Sequence, residues 1–256
     1  MTRLPAAFLA RPIAHRGLHD RKGKVIENSL SAIRAAAAAG YGIEIDLQCS
    51  ADGEAICFHD DDLQRLTGEP GAVREWRSED LAEIGLKGGG GDLVPSFAQA
   101  LEAAGDAPLL VEIKRQGPEI AAGKLEFRAA SLIAEHVAAG RGPVAVMSFD
   151  PRSVAWFHQH APEIPRGLVS MDWDRDDAGG EFDPETRRDM TRMASFEPSE
   201  ADFFSYRWRD LPTPRTRALR EAGIPALCWT TRSPEEDAAA RRHADNVTFE
   251  GYVPEA

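Results

Sequence analysis

The sequence predicts an α/β fold, a closed TIM (β/α)8 barrel with a small insertion after a hairpin at the second strand. Short apolar segments alternate with helix-like segments along the chain, which indicates parallel strands joined by crossover helices. One pair of apolar segments is too close in sequence for a crossover, and counting that pair once leaves the eight strand positions that close such a barrel. A length of 256 residues fits a single barrel of this kind.

Each element is predicted from its composition and its flanking residues. The strand segments are apolar, often β-branched, and bounded by glycine, proline, aspartate or asparagine. Several helices begin at a capping residue and end at glycine. The predicted strands are 12–17, 42–47, 55–60, 108–114, 143–149, 165–170, 201–206, 225–231 and 246–251. The predicted helices are 27–40, 94–105, 124–140, 150–160, 184–194, 213–223 and 233–243.

The hairpin follows from the spacing of the second and third apolar segments. Only residues 50–54 separate them, whereas a parallel crossover needs about a dozen residues or more. An antiparallel hairpin that turns at Asp52-Gly53 is therefore predicted. The alternative architecture is an open doubly wound sheet, but no GxGxxG follows the first strand. The run Gly88–Gly91 lacks a following Lys-Ser/Thr, so we interpret it as a flexible loop and not as a phosphate cradle.

The domain organisation is predicted to be one barrel, residues 1–256, that contains a small insertion at residues 61–94. The insertion has one short helix candidate at 78–84 and otherwise loop-like sequence. A long connection without its own core is more often functional than idle, commonly as a lid. We therefore expect the insertion to lie above the barrel.

Composition and charge limit the class of function. Hydrophobic residues make up 43% and charged residues 28% of the chain, as in globular proteins that bury a sizeable core. A net charge of -12 argues against nucleic acid or an acidic membrane surface as the main partner. Cys49, Cys57 and Cys228 are too few for a disulfide framework and are expected to be reduced thiols in strands. No apolar run reaches the ~20 residues of a membrane span, and the N-terminal apolar run is shorter than a secretory core, so a cytoplasmic protein without membrane insertion is expected.

Polar residues interrupt the apolar segments near their carboxyl ends, where barrels of this type carry their chemistry. Spacing by two places Glu44 and Asp46 on one face of their strand, and Glu112 and Lys114 on one face of theirs. Inward-facing carboxylates on neighbouring strands are costly to desolvate unless they are paired or bind a metal. Oxygen ligands favour Mg²⁺ or Ca²⁺, and nearby histidines leave Mn²⁺ open. The alternative is a buried salt-bridge cluster of these acids with Arg16 and Lys114.

Two histidines are predicted to flank these acids. His15 follows the first apolar run, and the hairpin would return His59 to roughly the level of Glu44, at the barrel mouth. Histidines beside three carboxylates and two cations are more often catalytic than structural. Arg16 has the geometry to hold a phosphate oxygen, and His15 would be close enough to move a proton. Glu27 and Asn28 have two interpretations, as a helix cap or as side chains that point into the barrel mouth.

The motifs HRG…EN, EID…HD and VEIK, in this order through nearly the whole chain, resemble those of the glycerophosphodiester phosphodiesterase family. The resemblance implies a TIM barrel with a small insertion. It also implies metal-dependent hydrolysis of a glycerophosphodiester, such as glycerophosphocholine or glycerophosphoethanolamine, to sn-glycerol 3-phosphate and an alcohol. The implied roles are Glu44, Asp46 and Glu112 as metal ligands, His15 and His59 as the general acid and base, and Arg16 and Lys114 as phosphate-neutralising groups.

The likeness is weaker toward the C-terminus. CWTTRS resembles a Trp-Thr segment of the family, which implies that Trp229 packs against the glycerol moiety. Glu250 stands where many relatives carry aspartate, and its role is not implied. Asn28 and Phe149 complete the predicted substrate-binding residues, with Trp208 as a further candidate. For each aromatic residue, core packing is the alternative.

Two other functions remain compatible with these residues. Metal-dependent barrels of the lyase or aldolase type also place acids at strand ends, but they need no paired histidines. A non-catalytic barrel that binds phosphodiesters would keep ligand affinity after loss of His15. Release of glycerol 3-phosphate separates the proposed hydrolase from both.

Overall fold

The computed structural model describes residues 4–20, 22–117, 119–175 and 182–254. Within these ranges it forms one sheet of nine strands. Every strand overlaps a segment that the sequence predicts, so the order of strands along the chain is confirmed. The strands are β1 (Ile13–Ala14), β2 (Gly42–Cys49), β3 (Ala55–Cys57), β4 (Leu109–Ile113), β5 (Val144–Ser148), β6 (Arg166–Ser170), β7 (Phe203–Arg207), β8 (Ala226–Thr231) and β9 (Asn246–Phe249).

The sheet closes on itself through β1. The strand order is β1-β9-β8-β7-β6-β5-β4-β2-β3, and β1 pairs with β2 as well as with β9. Ile13 is in register with Gly42 on one side and with Thr248 on the other, both in parallel pairings. Eight parallel strands therefore form a closed wall, which confirms the predicted TIM barrel and excludes the open sheet.

The predicted hairpin joins β2 and β3. Their pairing is antiparallel, with Leu47 opposite Cys57 and Cys49 opposite Ala55. Gly53 in the turn has φ 94°, a left-handed conformation that glycine adopts without steric cost. In the described sheet β3 pairs with β2 alone. The hairpin therefore occupies one barrel position, as the spacing predicts.

Helices follow most strands and cover the outside of the wall. All seven predicted helices and the helix candidate at 78–84 overlap an observed helix, and a short helix at Ala7–Ala10 is an addition that the sequence did not indicate. Three helices are capped by the side chain of the preceding residue, Phe97–Ala104 by Ser96, Pro151–His160 by Asp150 and Pro234–Ala240 by Ser233. The helices are α1 (Ala7–Ala10), α2 (Leu30–Ala38), α3 (Ser78–Leu81), α4 (Phe97–Ala104), α5 (Lys124–Ala138), α6 (Pro151–His160), α7 (Pro184–Thr191), α8 (Pro214–Glu221) and α9 (Pro234–Ala240).

The segment 61–94 differs from its expected character in one respect. It contains a small apolar cluster in which Leu63, Leu66, Val73 and Leu81 pack on Phe58, and all five side chains are at most 3% exposed. The expectation of a connection without its own core is therefore wrong. The apolar residues that form this core are spaced irregularly in a loop-rich segment, so no periodicity revealed them. The assignment of residues 1–256 to one domain stays a prediction.

The cysteines and the helices bear on two further expectations. Cys49, Cys57 and Cys228 are free, buried and located in β2, β3 and β8, as expected. No helix in the described part of the chain combines the length and the apolar character that a membrane crossing requires.

Gly17, in the loop after β1, provides a test of the packing between this loop and α2. Its φ is 78°, and an added Cβ would lie 2.7 Å from the carbonyl carbon of Ala32. Gly17→Ala is expected to lower the free energy of unfolding by about 1–3 kcal/mol, measured by thermal or urea denaturation. Gly85→Ala is the control, because a Cβ there meets nothing within 4 Å. Equal stability of the two variants would contradict this account of the loop.

Candidate active site

Three acidic side chains converge inside the carboxyl-terminal end of the barrel. β2 and β4 are adjacent and parallel, and their register places Asp46 directly beside Glu112, with Glu44 two residues before Asp46 on the same face. Ligand atoms of the three carboxylates lie within 4.8 Å of one another, and each residue is at most 8% exposed. Residues that are 68 positions apart in sequence thus form one buried cluster, because parallel strands bring the same level of the barrel together.

Two basic side chains offset part of this negative charge. Lys114 Nζ lies 2.9 Å from Asp46 Oδ1 and 2.7 Å from Glu112 Oε1. Arg16 Nε lies 3.4 Å from Asp46 Oδ2, and the Arg16 backbone N–H donates to Glu44 Oε2 at 2.9 Å. The ion pairs of the salt-bridge interpretation are therefore present. The two interpretations differ only in whether a cation binds in addition.

The protonation of the cluster favours an additional cation. Burial raises the pKa of Glu44 well above its usual range, and the charges of Asp46 and Glu112 raise it further. Burial acts in the same direction on Asp46, but Lys114 and Arg16 outweigh it and hold the Asp46 pKa below its usual range. Three close carboxylates have two positively charged partners, the Lys114 ammonium group and the Arg16 guanidinium. One carboxyl group is therefore left without a compensating charge. A hard divalent cation fits such a donor set, because it takes oxygen ligands and stabilises all three ionised carboxylates.

Asn28 holds Asp46 in place. Its Nδ2 donates to Asp46 Oδ2 at 2.9 Å, and its Oδ1 accepts from the Asp46 backbone N–H at 3.1 Å. Asn28 is 1% exposed and has φ 57°, a left-handed conformation that asparagine tolerates better than most residues. Ser29, and neither Glu27 nor Asn28, caps α2 by accepting from the Ala32 backbone N–H. The cap interpretation of the Glu-Asn pair is therefore wrong.

His15 is held by a carboxylate from the other end of the chain. Its Nδ1 lies 2.6 Å from Glu250 Oε2, and its Nε2 lies 4.0 Å from Glu44 Oε2. Glu250 Oε1 in turn accepts from Arg232 at 2.7 Å. Burial lowers the pKa of His15, and the hydrogen bond to Glu250 offsets part of this shift. The imidazole is therefore neutral near pH 7, with Nδ1 protonated toward Glu250 and Nε2 free to accept a proton.

His59 is also held by a carboxylate, here from the next residue in the sequence. Its Nδ1 lies 2.7 Å from Asp60 Oδ1, and Asp60 also accepts from Arg65 Nε at 2.5 Å. Arg65 donates to both oxygens of Glu27, which also accepts from Arg16 Nη1 at 2.5 Å. Burial would raise the pKa of Glu27, but the two arginines outweigh it and lower the pKa to about 2. Glu27 therefore stays ionised and connects the Arg16 and His59 sides of the site.

A cavity of ≈ 270 Å³ lies over these groups. Phe149 and Trp229 are in its wall, 5.6 Å apart between ring centroids in an edge-to-face contact. Asn28 does not line this cavity. Its predicted role in substrate binding could therefore only be indirect, through the Asp46 side chain that it holds. Trp208 packs on another apolar cluster and donates to the carbonyl of Thr230, and it does not itself line the cavity. The predicted residues in the wall are His15, Arg16, Glu44, Asp46, His59, Glu112, Lys114, Phe149 and Trp229.

Sequence reasoning gave no role to four residues that orient this site, which are Asp60, Arg65, Arg232 and Glu250. Asp60 directly follows His59, and the dipeptide His-Asp was a signal for an imidazole held by a carboxylate. Glu250 was singled out without a role, since nothing local links it to His15, which lies 235 positions earlier. Arg232 carries no signal of its own, because an arginine in a loop is usually a solvated charge.

Comparison with known proteins identifies the family. A family model described as the glycerophosphoryl diester phosphodiesterase family matches residues 15–247. A glycerophosphodiester phosphodiesterase of Caldanaerobacter subterraneus is 31% identical over 163 residues, which are 61% of this chain and 65% of that protein. One from Bacillus altitudinis is 28% identical over 171 residues, which are 64% of this chain and 68% of that protein. The matched segment thus spans about two thirds of the length of these relatives.

Solved structures share the fold over nearly the full length. A phosphodiesterase of Oleispira antarctica, in complex with the product sn-glycerol-3-phosphate, matches with a TM-score of 0.73 at 20% identity over 95% of this chain and 94% of that chain. A protein of Agrobacterium tumefaciens described as a glycerophosphoryl diester phosphodiesterase matches with a TM-score of 0.74 at 17% identity over 94% and 93% of the two chains. Since the family model spans nearly all of the sequence, and the barrel agrees, this chain belongs to the glycerophosphoryl diester phosphodiesterase family, a family of hydrolases.

Proposed function

We propose that this chain hydrolyses a glycerophosphodiester to sn-glycerol 3-phosphate and an alcohol, with a divalent cation and with histidine acid–base catalysis. The observation that carries the proposal is that both histidines, all three acids and both basic side chains line one cavity. Family membership supports the reaction class. The product bound to the Oleispira antarctica relative supports a small-molecule substrate of this kind. A cytoplasmic location stays a prediction.

Glu44, Asp46 and Glu112 would hold the cation, with Mg²⁺ and Ca²⁺ as the preferred ions and Mn²⁺ as a further candidate. When bound, the cation stabilises negative charge on the phosphoryl oxygens. Asn28 holds Asp46 through one hydrogen bond to its carboxylate and one from its backbone N–H, so this oxygen donor is positioned before any ligand arrives.

The two histidines divide the proton transfers. One removes a proton from the nucleophile, which is water or the glycerol hydroxyl next to the ester, and the other protonates the leaving alkoxide. If the hydroxyl attacks, the first product is a cyclic glycerol phosphate, and water then opens it to sn-glycerol 3-phosphate in a second displacement at phosphorus. A new P–O bond forms while the bond from phosphorus to the alcohol oxygen breaks. The electron pair of the breaking bond goes to the alcohol oxygen, which takes the proton. Each imidazole is oriented by a carboxylate at Nδ1, Glu250 for His15 and Asp60 for His59, which leaves Nε2 for the transfer.

Arg16 and Lys114 supply fixed positive charge at the same cavity. Burial would lower the pKa of Lys114, but Asp46 and Glu112 raise it above its usual value, so the ammonium group stays charged. The Arg16 backbone is left-handed, with φ 57°, and is held by Asn28 and Glu44 through hydrogen bonds at 2.9 Å each. Such a preorganised pair of cations stabilises the charge that grows on the phosphoryl group in the transition state.

The proposed reaction is tested with a panel of glycerophosphodiesters. Glycerophosphocholine, glycerophosphoethanolamine and glycerophosphoglycerol are incubated with the protein and Mg²⁺, Ca²⁺ or Mn²⁺, and released sn-glycerol 3-phosphate is measured with a coupled dehydrogenase assay. We expect release with at least one substrate and metal. Absence of glycerol 3-phosphate with every combination would refute the hydrolase. Tight substrate binding without release would favour the non-catalytic barrel.

Glu250→Gln tests whether the carboxylate orients His15. The amide keeps the shape of the side chain but removes the charge that fixes the tautomer, so kcat is expected to fall by about 10–100-fold with little change in KM. Steady-state kinetics with the preferred substrate measure both values. Glu197→Gln is the matched control, because Glu197 also accepts from an arginine, Arg215, but does not line the cavity. Wild-type kcat in Glu250→Gln would show that His15 needs no such partner.

A further inference from the structure

A second and larger cavity lies beside the proposed active site. Its volume is ≈ 890 Å³, against ≈ 270 Å³ for the cavity that contains the acids. Both walls include His59, Glu112, Lys114 and Phe149, so the two cavities meet at a catalytic histidine and a phosphate-neutralising lysine. A phosphodiester whose phosphate lies at this junction places one of its ester groups in each cavity.

The larger cavity has a wall of aromatic side chains. Phe149 contacts Trp173 edge to face at 5.7 Å between ring centroids, and Trp173 contacts Phe182 in the same way at 5.8 Å. Trp173 is held in this position because its backbone N–H donates to Thr191 Oγ1 at 3.1 Å and its indole N–H to Ser170 Oγ at 3.4 Å. The rings therefore present a fixed apolar surface that continues from the smaller cavity.

Charged side chains of both signs surround this aromatic surface. The Arg115 guanidinium lies 5.5 Å from the centroid of the Phe182 ring, so a cation already occupies a face of that ring. Arg152 lines the cavity as well, and it is paired with Asp150 at 2.6 Å. Asp60 is likewise paired, with His59 and Arg65. Asp60 and Asp150 are thus paired with basic groups, while Asp61, Asp62 and Asp189 also line the cavity. At the rings themselves it is Arg115, over the face of Phe182, that disfavours a cationic ligand.

We propose that this larger cavity, the alcohol cavity, receives the alcohol moiety of the diester, and that the preferred alcohols carry an aromatic or similarly bulky apolar group that packs on Trp173 and Phe182. The inference rests on the proposed hydrolysis and names its substrate class. A volume of ≈ 890 Å³ lies within the ~300–1,000 Å³ of pockets that enclose drug-sized ligands. Ethanolamine or choline would leave most of the aromatic wall in contact with water.

The test uses two substrates that differ only in the alcohol, the 2-phenylethyl ester and the ethyl ester of sn-glycerol 3-phosphate. The same bond breaks in both, and the two alkoxides have similar basicity, so kcat/KM differs through contacts of the phenyl group. The wild-type protein is expected to prefer the 2-phenylethyl ester by about tenfold or more. Phe182→Ala and Trp173→Ala are each expected to reduce this preference by about fivefold or more.

The ratio of the two kcat/KM values is the readout, because loss of folded protein lowers both values equally and leaves the ratio unchanged. Phe127→Ala is the control variant, since Phe127 is 68% exposed on α5 and lies outside both cavities. Equal kcat/KM values for the two esters in the wild-type protein, or an unchanged ratio in both variants, would overturn the proposal. So would a higher kcat/KM for glycerophosphocholine than for the 2-phenylethyl ester. Hydrolysis of the ethyl ester in any of these cases would leave the proposed function itself intact.

Discussion

Glu44→Gln and Glu112→Gln are each expected to lower glycerophosphodiester hydrolysis by ~10³-fold or more, because a catalytic cation contributes several kcal/mol and each 1.36 kcal/mol is tenfold in rate. Glutamine keeps the size of the side chain, and its amide oxygen still accepts from the Arg16 backbone N–H in place of Glu44 Oε2. The expected loss therefore reflects the missing charge and not a collapse of the cluster. Chelation of the wild-type protein with EDTA should produce the same loss, and added Mg²⁺, Ca²⁺ or Mn²⁺ should reverse it.

Calorimetric titration with Mn²⁺ or Ca²⁺ tests the same prediction by measuring the binding of the ion, without any turnover of substrate. The wild-type protein should bind one equivalent, and both glutamine variants should bind at least 10-fold more weakly. Glu135→Gln is the matched control, because Glu135 is exposed on α5 and takes no part in the cluster. If EDTA leaves the rate unchanged and no ion binds, the three acids form only the salt-bridge cluster with Arg16 and Lys114. The proposal of a bound cation is then wrong.

His15→Ala and His59→Ala are each expected to lower kcat by ~10²-fold or more, the range of a general acid or base. The physical reason is that each imidazole is oriented by a carboxylate and lines the cavity where the phosphate is proposed to bind. Substrate binding should change little, because phosphate affinity is assigned to Arg16 and Lys114. Steady-state kinetics on the best substrate of the panel measure both effects.

A substrate with an activated leaving group separates the roles of the two histidines. A 4-nitrophenyl ester of glycerol 3-phosphate needs no protonation of its leaving group, so the variant that lacks the general acid should regain much of its rate with this ester. The variant that lacks the base should not. His160→Ala is the control, since His160 is exposed at the end of α6 and lies outside both cavities. Near-wild-type activity of either active-site variant toward the alkyl ester would refute its assignment.

Much of the fold was predictable because its signals are local. Hydrophobic period, capping residues and glycine positions depend on neighbours in sequence, and they predicted the nine strands and eight of the nine helices in the described part of the chain. The five-residue spacing at residues 50–54 required the hairpin, and this reduced nine strands to eight barrel positions. The core of the insertion was missed because its members follow no regular period.

The candidate site was also predictable only in part. The acids of β2 and β4 were predicted because a parallel barrel aligns strand ends, so a one-dimensional pattern implied a three-dimensional cluster. The hydrogen-bond network around these acids was not predicted, because it depends on side-chain contacts between segments that are distant in sequence. Glu27 was ambiguous in sequence, and only packing decides that it pairs with Arg16 and Arg65.

The sequence by itself determined the barrel, the family and the set of acids, histidines and cations at the strand ends, since each follows from regular spacing or from an ordered set of motifs. Only the tertiary structure decided that Glu250 reaches His15 across the closure of the barrel, that Asn28 fixes Asp46 and that an aromatic cavity adjoins the acids. These contacts join residues whose separation in sequence carries no periodic signal. They form because closing the sheet brings β9 beside β1 and places the loops of all eight parallel strands around one opening.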